Sequence, residues 1–396
     1  IISTTLQTNQ PMATPPADRP KVLIVTNWDW TIYNFRLPLA KMLRDEGCEV
    51  VFVCPFGRYV DRIQEQGFRC RDWKVSRHGV NPVNELKALL SITQIYREEQ
   101  PDLISHFTLK PNLYGGLATA LPGLQSVPVV NTFEGLGKLF ASDSNSRLLR
   151  ALLTPFLRFV SSRSSVTTVF LNREDQKTFI DLGLARPGEP ECRPGIGVNV
   201  DRFSPGPCTL IDTDAPTVVM ACRLLKEKGV EEFAEAGRLL SQRGTDVELI
   251  LAGEPDAENP DSVSREHVQA WHDAGMIRWV GHIDDVPSLL RCGDVAALPT
   301  AYNEGVPRFL MEAAATELPL LASDIPGCRL IVEDGQSGRL LPPRDAESLA
   351  DAIEDLVQHL ERRHRWGARS RELVLERFKE EKINREWYQL FRDCGL

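Results

Sequence analysis

The stretch Lys21-Val22-Leu23-Ile24-Val25-Thr26 indicates a short buried β-strand. Residues 37–46 follow with apolar side chains at helical spacing, and Gly47 is placed to end that helix. Val50-Val51-Phe52-Val53-Cys54 is then a second apolar run of strand length. Because a strand, a helix and a strand in succession are typical of a βαβ unit, the sequence predicts a parallel sheet.

The alternation continues, stops at a Pro-rich segment and starts again. The later predicted strands lie at 103–105, 128–131, 167–171, 217–221, 247–253, 277–281, 295–299 and 319–322, with a helix at 230–242. Between 187 and 216 six prolines favour a link between two halves. We therefore predict two doubly wound α/β domains that face each other across a cleft, where open parallel sheets bind ligands.

These patterns divide the chain into four parts. The first domain is placed at 21–205, the second at 206–375, and a terminal helical segment at 376–396. Residues 1–20 are polar and Pro-rich without an apolar core, which predicts a disordered leader and not a signal peptide.

Composition excludes several classes of protein. The chain has 396 residues and a net charge of −9, which argues against nucleic acid as a partner. No apolar run approaches the roughly 18 residues that span a bilayer. Nine scattered cysteines, none in a Cys-x-x-Cys pair, favour reduced thiols in a cytoplasmic protein over a disulfide framework or a metal site.

Glu304 and Glu312 stand eight positions apart on either side of Gly305-Val306-Pro307. Pro307 suits the first position of a helix, so Glu304 would lie on the preceding loop and Glu312 in the second turn. One carboxylate can bind a ribose diol, and the N–H groups at a helix start attract anions. This arrangement fits a nucleotide sugar. A surface helix with two solvated glutamates is the alternative.

Arg223 and Lys228 follow the predicted strand at 217–221. Two cations at this position fit a diphosphate, since Arg offers a planar fork and Lys a mobile charge. A solvated basic turn is the alternative. The next two strands end at Gly253 and at Gly281-His282-Ile283, where a ligand can approach the backbone and a uracil or purine edge can hydrogen-bond. An ordinary loop histidine remains the alternative for His282.

Several motifs in order resemble family 4 of the retaining GT-B glycosyltransferases. They are Arg223…Lys228-Gly229, Gly253-Glu254, Glu304-x7-Glu312, Asp324-Ile325-Pro326-Gly327 and Asp334-Gly335-x-x-Gly338. The first half is similar to a branch that builds capsular, lipopolysaccharide and lipid-linked oligosaccharides, through Tyr33-Asn34-Phe35-Arg36, Lys110-Pro111-Asn112-Leu113-Tyr114-Gly115 and Glu134-Gly135-Leu136-Gly137.

The resemblance implies a GT-B fold whose terminal helix returns to the first domain. It also implies that Arg223 and Lys228 neutralise the leaving diphosphate and that Glu312 holds the ribose. Glu304 would contact hydroxyls of the transferred sugar, and the residues beside it, Asn303, Gly305 and Val306, would help to hold that sugar. The family reacts with retention and without a metal, so no nucleophilic carboxylate is required, unlike in retaining hydrolases.

One departure from the family pattern concerns Glu134 and Gly135. Many members carry a histidine, which contacts the sugar, at the position that Glu134 occupies here. A carboxylate there can accept hydrogen bonds from sugar hydroxyls or hold an amide or cationic group. Its alternative role is a structural cap before Gly135.

The acceptor side is expected to use residues that follow the first and third strands. His106, Thr108 and Lys110 come after the strand at 103–105 and are expected to face the cleft. Arg36 opens the first helix and could meet an anionic acceptor, with an ordinary surface arginine as the alternative. After the first strand, Asn27-Trp28-Asp29-Trp30 is bulky where many members have a Gly-rich turn.

Residues 144–163 are a candidate membrane contact. No acidic residue occurs between 144 and 173. Apolar residues recur at helical spacing, and three arginines fall on the opposite side of the helical wheel: Leu148, Leu149, Leu152, Leu153, Phe156 and Val160 against Arg147, Arg150 and Arg158. The pattern fits a helix lying on an anionic membrane surface. A core helix with a solvated basic face, bent near Pro155, is the alternative.

Together these features predict a retaining glycosyltransferase, cytoplasmic and peripheral on the cell membrane. It would move a hexose or N-acetylhexosamine from a UDP-sugar to a glycan acceptor, in particular a polyprenyl-diphosphate-linked one, without a bound cofactor or metal. A GT-B nucleotide-sugar 2-epimerase and a non-catalytic sugar-binding protein are the alternatives.

Overall fold

The computed structural model describes residues 19–76, 81–135, 144–185, 190–256, 259–301 and 305–396. The expected leader thus lies almost entirely outside the described residues. Two parallel sheets, each covered by helices, form two domains. The predicted GT-B architecture is therefore confirmed, while the predicted boundaries at 205/206 and 375/376 stay predictions.

The N-terminal sheet has seven parallel strands in the order β3-β2-β1-β4-β5-β6-β7. Its strands are β1 (Lys21–Val25), β2 (Glu49–Cys54), β3 (Arg69–Asp72), β4 (Leu103–Phe107), β5 (Val129–Phe133), β6 (Val166–Phe170) and β7 (Glu191–Cys192). The central strand β1 pairs with β2 through Val22 and Val50 and with β4 through Val22 and Leu103. Helices on both faces explain why these strands are continuous apolar runs.

The C-terminal sheet has six parallel strands in the order β10-β9-β8-β11-β12-β13. Its strands are β8 (Thr217–Ala221), β9 (Glu248–Ala252), β10 (Arg278–Gly281), β11 (Val295–Leu298), β12 (Leu320–Ser323) and β13 (Gly338–Leu341). The strand order reverses between β1 and β4 in one sheet and between β8 and β11 in the other. Such reversals leave a crevice at the carboxyl ends of the strands, where ligands bind.

The helices of the N-terminal sheet are α1 (Asp29–Thr31), α2 (Leu37–Asp45), α3 (Val60–Glu65), α4 (Pro82–Glu99), α5 (Gly116–Ala118), α6 (Ser144–Ser161) and α7 (Arg173–Asp181), with π-helical turns at Ile32–Arg36 and Pro111–Gly115. The later helices are α8 (Val230–Arg243), α9 (Arg265–Asp273), α10 (Val286–Leu290), α11 (Arg308–Ala315), α12 (Pro326–Arg329), α13 (Ala346–Gln358), α14 (Leu360–Arg377) and α15 (Glu380–Asp393), with a 3-10 turn at Lys226–Lys228.

The last helix, α15, packs on the N-terminal domain. Ile383, Trp387 and Phe391 are buried in the core that α2 shares with the first sheet, and the Trp387 indole donates to the Pro194 carbonyl at 3.0 Å. The predicted return of the chain is therefore confirmed. The terminal helical segment predicted at 376–396 is instead interrupted, since α14 ends at Arg377 and Val198 forms a short bridge with the backbone at Lys379.

Helix α6 differs from the single apolar stripe that was predicted. Leu157 and Val160 are buried against the domain, whereas Leu148 is 77% exposed and Leu152 is 65% exposed. Arg158 donates to the Gly183 carbonyl at 2.7 Å, so it serves the fold. The predicted apolar side is therefore shared: its edge at Val160 and Leu157 packs on the domain, while its edge at Leu148 and Leu152 stays exposed.

The expectation that all thiols are reduced is also wrong. Cys208, in the link between the sheets, forms a disulfide with Cys292, which follows α10. The two cysteines are 84 residues apart in sequence, so their spacing carried no signal. Among the described helices, none has the length and apolar character that a membrane span requires.

Candidate active-site cleft

The carboxyl ends of β8, β9 and β10 meet at one edge of the C-terminal sheet. Gly253, directly after β9, donates its N–H to the Gly281 carbonyl at 2.7 Å. Its φ is +142°, and an added Cβ would lie 2.0 Å from the Cys222 carbonyl oxygen. Both the conformation and the contact require glycine here. The structure thus brings the predicted residues Gly253 and Gly281 together beside the loop that carries Arg223.

Arg223 lies on the loop after β8. Its Nη1 is 3.9 Å from Asp256 Oδ2, and its side chain is 39% exposed. An ion pair of this length at a partly exposed position contributes little to stability. The guanidinium therefore stays accessible to an anionic ligand at the crevice.

Lys228 ends the 3-10 turn that precedes α8. The turn is held by the loop after β11, since the backbone N–H of Ala301 donates to the Glu227 carbonyl at 2.8 Å. Gly229 has a φ of +81°, and a Cβ there would lie 2.1 Å from the Pro299 carbonyl oxygen. Lys228 is therefore held at the reversal between β8 and β11, on the same side of the sheet as Arg223.

Glu312 lies in the second turn of α11, as predicted, and is buried. Its Oε1 accepts a hydrogen bond from Arg308 Nε at 2.6 Å. Burial raises the pKa of the Glu312 carboxyl, although Arg308 and, more weakly, Arg202 act to lower it. Pro307 was predicted as the first helical residue, but it is the N-cap residue before α11 and has an extended backbone.

Two predicted donor residues, Asn303 and Glu304, lie outside the described residues. His282 is exposed, and its Nε2 is 3.2 Å from Asp284 Oδ1. Ile283, the next residue, is partly buried against the second domain's core. His282 thus has the surroundings of an ordinary loop histidine, and its predicted contact with a base stays a prediction.

On the N-terminal side, Arg36 and Glu134 form an ion pair through Arg36 Nη2 and Glu134 Oε1. Arg36 is 1% exposed, and its Nη1 donates to the Gly195 carbonyl at 2.9 Å. The guanidinium carbon lies 3.7 Å from the centre of the Phe107 ring. Burial lowers the pKa of Arg36, and Glu134 opposes that shift. Arg36 is therefore neither a surface arginine nor exposed to an acceptor; instead it orients Glu134.

The two domains meet at Glu134. A Cβ added to Gly305, just before α11, would lie 3.1 Å from the Glu134 carbonyl oxygen and 3.0 Å from Leu171 Cδ1. Val306 and Gly135 are next to this contact in sequence, and Gly135 has a φ of +145°. The segments that carry Glu134 and Gly305, predicted from opposite halves of the chain, are thus in contact.

His106 does not line the cleft as predicted. It is completely buried, and its ring nitrogens bond to the Tyr96 hydroxyl at 2.6 Å and to Asn131 Oδ1 at 2.7 Å. Burial lowers its pKa to about 4. The strand β4 continues to Phe107 and helices cover both faces of the sheet, so His106 lies in the protein interior and not on a loop at the cleft.

Lys110 is tied into the N-terminal domain. Its Nζ lies 2.8 Å from Glu85 Oε1 and 2.9 Å from the Ser76 carbonyl oxygen. Thr108 has a φ of +74° and donates to Asn27 Oδ1 at 3.0 Å, which joins the loops after β1 and β4. The predicted acceptor contact of Lys110 would have to compete with its ion pair.

Bulky aromatic side chains follow β1. Trp28 and Trp30 stack with their ring centres 4.7 Å apart, and Phe35 meets Trp30 edge to face at 5.0 Å. Of these rings, Phe35 also contacts the other domain, since its centre lies 5.1 Å from the Arg308 guanidinium carbon. Within the described ranges, no cluster of three or more His, Cys, Asp or Glu side chains could hold a metal ion.

Two family models match the two halves of the chain. The model for glycosyl transferases group 1 matches residues 208–373, and the glycosyl transferase 4-like model matches residues 21–167. The chain belongs to the family 4 glycosyltransferases.

Curated relatives of this glycosyltransferase cover most of its length. It is 25% identical, over 83% of its own chain and 87% of the other, to the N,N'-diacetylbacillosaminyl-diphospho-undecaprenol alpha-1,3-N-acetylgalactosaminyltransferase of Campylobacter jejuni. It is 23% identical, over 69% of its chain and 71% of the other, to the UDP-Gal:alpha-D-GlcNAc-diphosphoundecaprenol alpha-1,3-galactosyltransferase of Escherichia coli.

Solved structures share the fold of this glycosyltransferase. A glycosyltransferase from Rickettsia africae has a TM-score of 0.78 at 17% identity, with 95% of this chain and 99% of the other covered. Anabaena Alr3699/HepE, solved in complex with UDP and glucose, has a TM-score of 0.74 at 18% identity, with 95% and 100% covered.

Sequence reasoning missed one residue in the cleft of this glycosyltransferase. Arg308 was passed over, although it stands four positions before Glu312, where side chains on a helix meet. Arg36 and Glu134 were both identified, but their pairing was not. These two residues are 98 positions apart, so only the folded chain shows the contact.

Proposed function

We propose that this glycosyltransferase moves a hexose or N-acetylhexosamine from a UDP-sugar to a lipid-linked glycan acceptor, with retention of configuration. The observation that carries the proposal is that Arg223 and Lys228 follow β8 while Glu312 lies on the helix after β11, the neighbouring strand at the reversal of the sheet, and that Gly253 and Gly281 leave the backbone open at the same edge. The Campylobacter and Escherichia coli relatives, whose names give diphospho-undecaprenol acceptors, support this choice of acceptor.

In the proposed reaction the bond from the anomeric carbon to the donor phosphate oxygen breaks, and a bond to the acceptor oxygen forms on the same face. The leaving phosphate oxygen takes the acceptor proton. Arg223 and Lys228 stabilise the charge that develops on the diphosphate, which is usually the largest contribution to catalysis. Glu312 accepts hydrogen bonds from the ribose, and Glu304 contacts the transferred sugar. No metal or bound cofactor is required.

The exposed side of α6 supports a peripheral position on the cytoplasmic face of a membrane. Leu148, Leu152 and Phe156 project from it, and no acidic residue occurs between 144 and 173. An anionic bilayer is the partner that complements both properties. Such a contact would keep the enzyme at the surface where lipid-linked acceptors reside.

The donor site can be tested with a panel of UDP-sugars and two variants of neighbouring lysines. Lys228→Ala is expected to lower kcat by about 10²- to 10³-fold, since it removes a cation from the leaving group. Lys226→Ala is the matched control, because Lys226 lies in the same turn but is 60% exposed and pairs with Glu231. Full activity of Lys228→Ala would contradict the assigned role. Turnover of the donor to a new nucleotide sugar without acceptor would indicate an epimerase.

The membrane contact can be tested by sedimentation with vesicles that contain anionic lipid. The double variant Leu148→Ser/Leu152→Ser is expected to bind about tenfold more weakly, because each exposed leucine loses part of its transfer free energy. Leu360→Ser is the control, since Leu360 is 52% exposed on the other domain. Equal binding of the unmodified protein and both variants would exclude α6 as the membrane contact.

A further inference from the structure

Arg308 is the first residue of α11, and it contacts both domains. Within the C-terminal domain its Nε donates to Glu312 Oε1 at 2.6 Å. Towards the N-terminal domain its Nη1 donates to the backbone carbonyl of Asn34, and its guanidinium carbon lies 5.1 Å from the centre of the Phe35 ring. One planar group therefore joins the proposed ribose anchor to the other side of the cleft.

On the C-terminal side, Arg308 acts on a carboxylate that is largely removed from water. The Glu312 side chain is 10% exposed, whereas Arg308 is 33% exposed. The charged groups that face Glu312 are Arg308, on its own helix, and Arg202, in the link between the sheets. Arg308 is the one in direct contact, so it carries most of the compensation for burying this charge.

On the N-terminal side, Arg308 reaches a turn that also controls Glu134. Asn34 and Phe35 belong to the π-helical turn Ile32–Arg36. The last residue of that turn, Arg36, pairs with Glu134. Asn34 and Arg36 are two positions apart within one hydrogen-bonded turn. A shift of Asn34 that follows Arg308 therefore also shifts the guanidinium that orients Glu134.

We propose that Arg308 is a positioning residue that makes ribose binding at Glu312 and the placement of Glu134 depend on each other. This inference rests on the proposed function, because it assumes that a nucleotide ribose binds at Glu312. Arginine suits the task, since its rigid fork can donate to the carboxylate and to the carbonyl at the same time. A lysine carries the charge but has one compact donor group, so it can compensate Glu312 without holding Asn34.

Ribose binding in the C-terminal domain acts on the N-terminal domain through Arg308. A ribose that binds Glu312 fixes Arg308 and through it the turn that carries Arg36. Without the contact between Arg308 and Asn34, the ribose can still bind Glu312, but the turn that carries Arg36 is no longer fixed for the transfer step. Substitutions of Arg308 can therefore change the donor affinity and the geometry of the transfer step separately.

Two substitutions of Arg308 separate these properties. Arg308→Lys is expected to keep the donor Kd within about threefold of the parent while kcat falls about tenfold or more, since charge compensation remains and the contact with Asn34 is lost. Arg308→Leu is expected to weaken donor binding, which raises Kd, and to lower kcat. In Arg308→Leu the donor affinity should also fall as pH is lowered from about 8 to about 6, because the buried Glu312 then lacks its cation and takes up a proton.

The measurements are calorimetric binding of a UDP-sugar and steady-state kinetics with acceptor. A UDP-sugar is the suitable probe, because its diphosphate does not titrate in this pH range. Arg238→Leu is the control variant. Arg238 pairs with Glu235 on α8, both side chains are about 40% exposed, and the pair lies within one domain. Arg238→Leu should leave Kd, kcat and the pH profile unchanged.

These measurements distinguish failure of the inference from failure of the proposed function. An unchanged kcat in Arg308→Lys, or a pH-independent donor affinity in Arg308→Leu, would overturn the inference while the proposed function stands. Failure of the unmodified protein to bind any UDP-sugar would overturn the proposed function and the inference with it. The loss of kcat without loss of donor affinity in Arg308→Lys would support the coupling, because a merely structural role predicts parallel losses.

Discussion

Removal of the buried Arg36 guanidinium should destabilise the N-terminal domain by about 2–4 kcal/mol. The variant Arg36→Met loses three contacts: the pair with Glu134, the hydrogen bond to the Gly195 carbonyl at 2.9 Å, and the position over the Phe107 ring at 3.7 Å. A charge-assisted hydrogen bond contributes about 1.5–3 kcal/mol, and a desolvated cation–π contact about 2 kcal/mol. Methionine carries no charge, so the variant avoids the cost of burying the guanidinium, and this offsets part of the loss.

Substitution of the partner, Glu134, should lower the free energy of unfolding by at least as much. Glu134→Gln leaves the guanidinium buried without its counter-charge, which typically costs about 3–5 kcal/mol. In the double variant Arg36→Met/Glu134→Gln no unpaired charge remains. Its destabilisation should therefore be smaller than the sum of the single effects by about 2 kcal/mol or more.

Urea denaturation followed by circular dichroism measures these free energies of unfolding. Arg238→Met, at an exposed ion pair, is the control and should change stability by less than about 1 kcal/mol. If the effects of Arg36→Met and Glu134→Gln add within about 0.5 kcal/mol, the two side chains do not act as a pair and the reasoning fails.

Three further predictions concern the rest of the chain. Burial holds the pKa of His106 at about 4, below its ordinary 6.5. The free energy of unfolding should therefore be highest above pH 6.5 and fall by about 3 kcal/mol as the pH drops towards 4. A His106→Gln variant with the same pH profile of unfolding would contradict this. Gly253→Ala should lose donor affinity and thermal stability, since its Cβ would lie 2.0 Å from the Cys222 carbonyl oxygen; an unchanged melting temperature and Kd would argue against that contact. Thiol titration of the denatured protein should give seven free cysteines before reduction, because Cys208 and Cys292 are joined; nine at that stage would show that they are not.

Local patterns predicted the elements that build the second domain. The strand expected at 217–221 is β8 (Thr217–Ala221), and the helix expected at 230–242 is α8 (Val230–Arg243). Such elements are readable because an apolar run buried on both faces, or an apolar stripe at helical spacing, depends on residues close in sequence. Arg223 and Gly253 were proposed as residues of the donor side for the same reason, since each comes just after a predicted strand.

The errors share a different cause. His106 was assigned to a loop because the strand before it was predicted two residues short, whereas every residue of the full strand is buried between the covering helices. Helix α6 was given one apolar face because a helical wheel does not show which side a domain covers. Its exposed leucines and its buried Leu157 become distinct only when the helix lies on the sheet.

The succession of strands and helices along the chain, its division into two parallel sheets and the residues that follow the strands could be predicted from the amino-acid sequence, because burial and periodicity act over short stretches of chain. The contacts of Arg36 and Arg308 were decided only by the tertiary structure. Arg36 and Glu134 are 98 positions apart, and Arg308 and Asn34 are 274 apart. A hydrogen bond depends on distance in space, and at such separations no local pattern carries that distance.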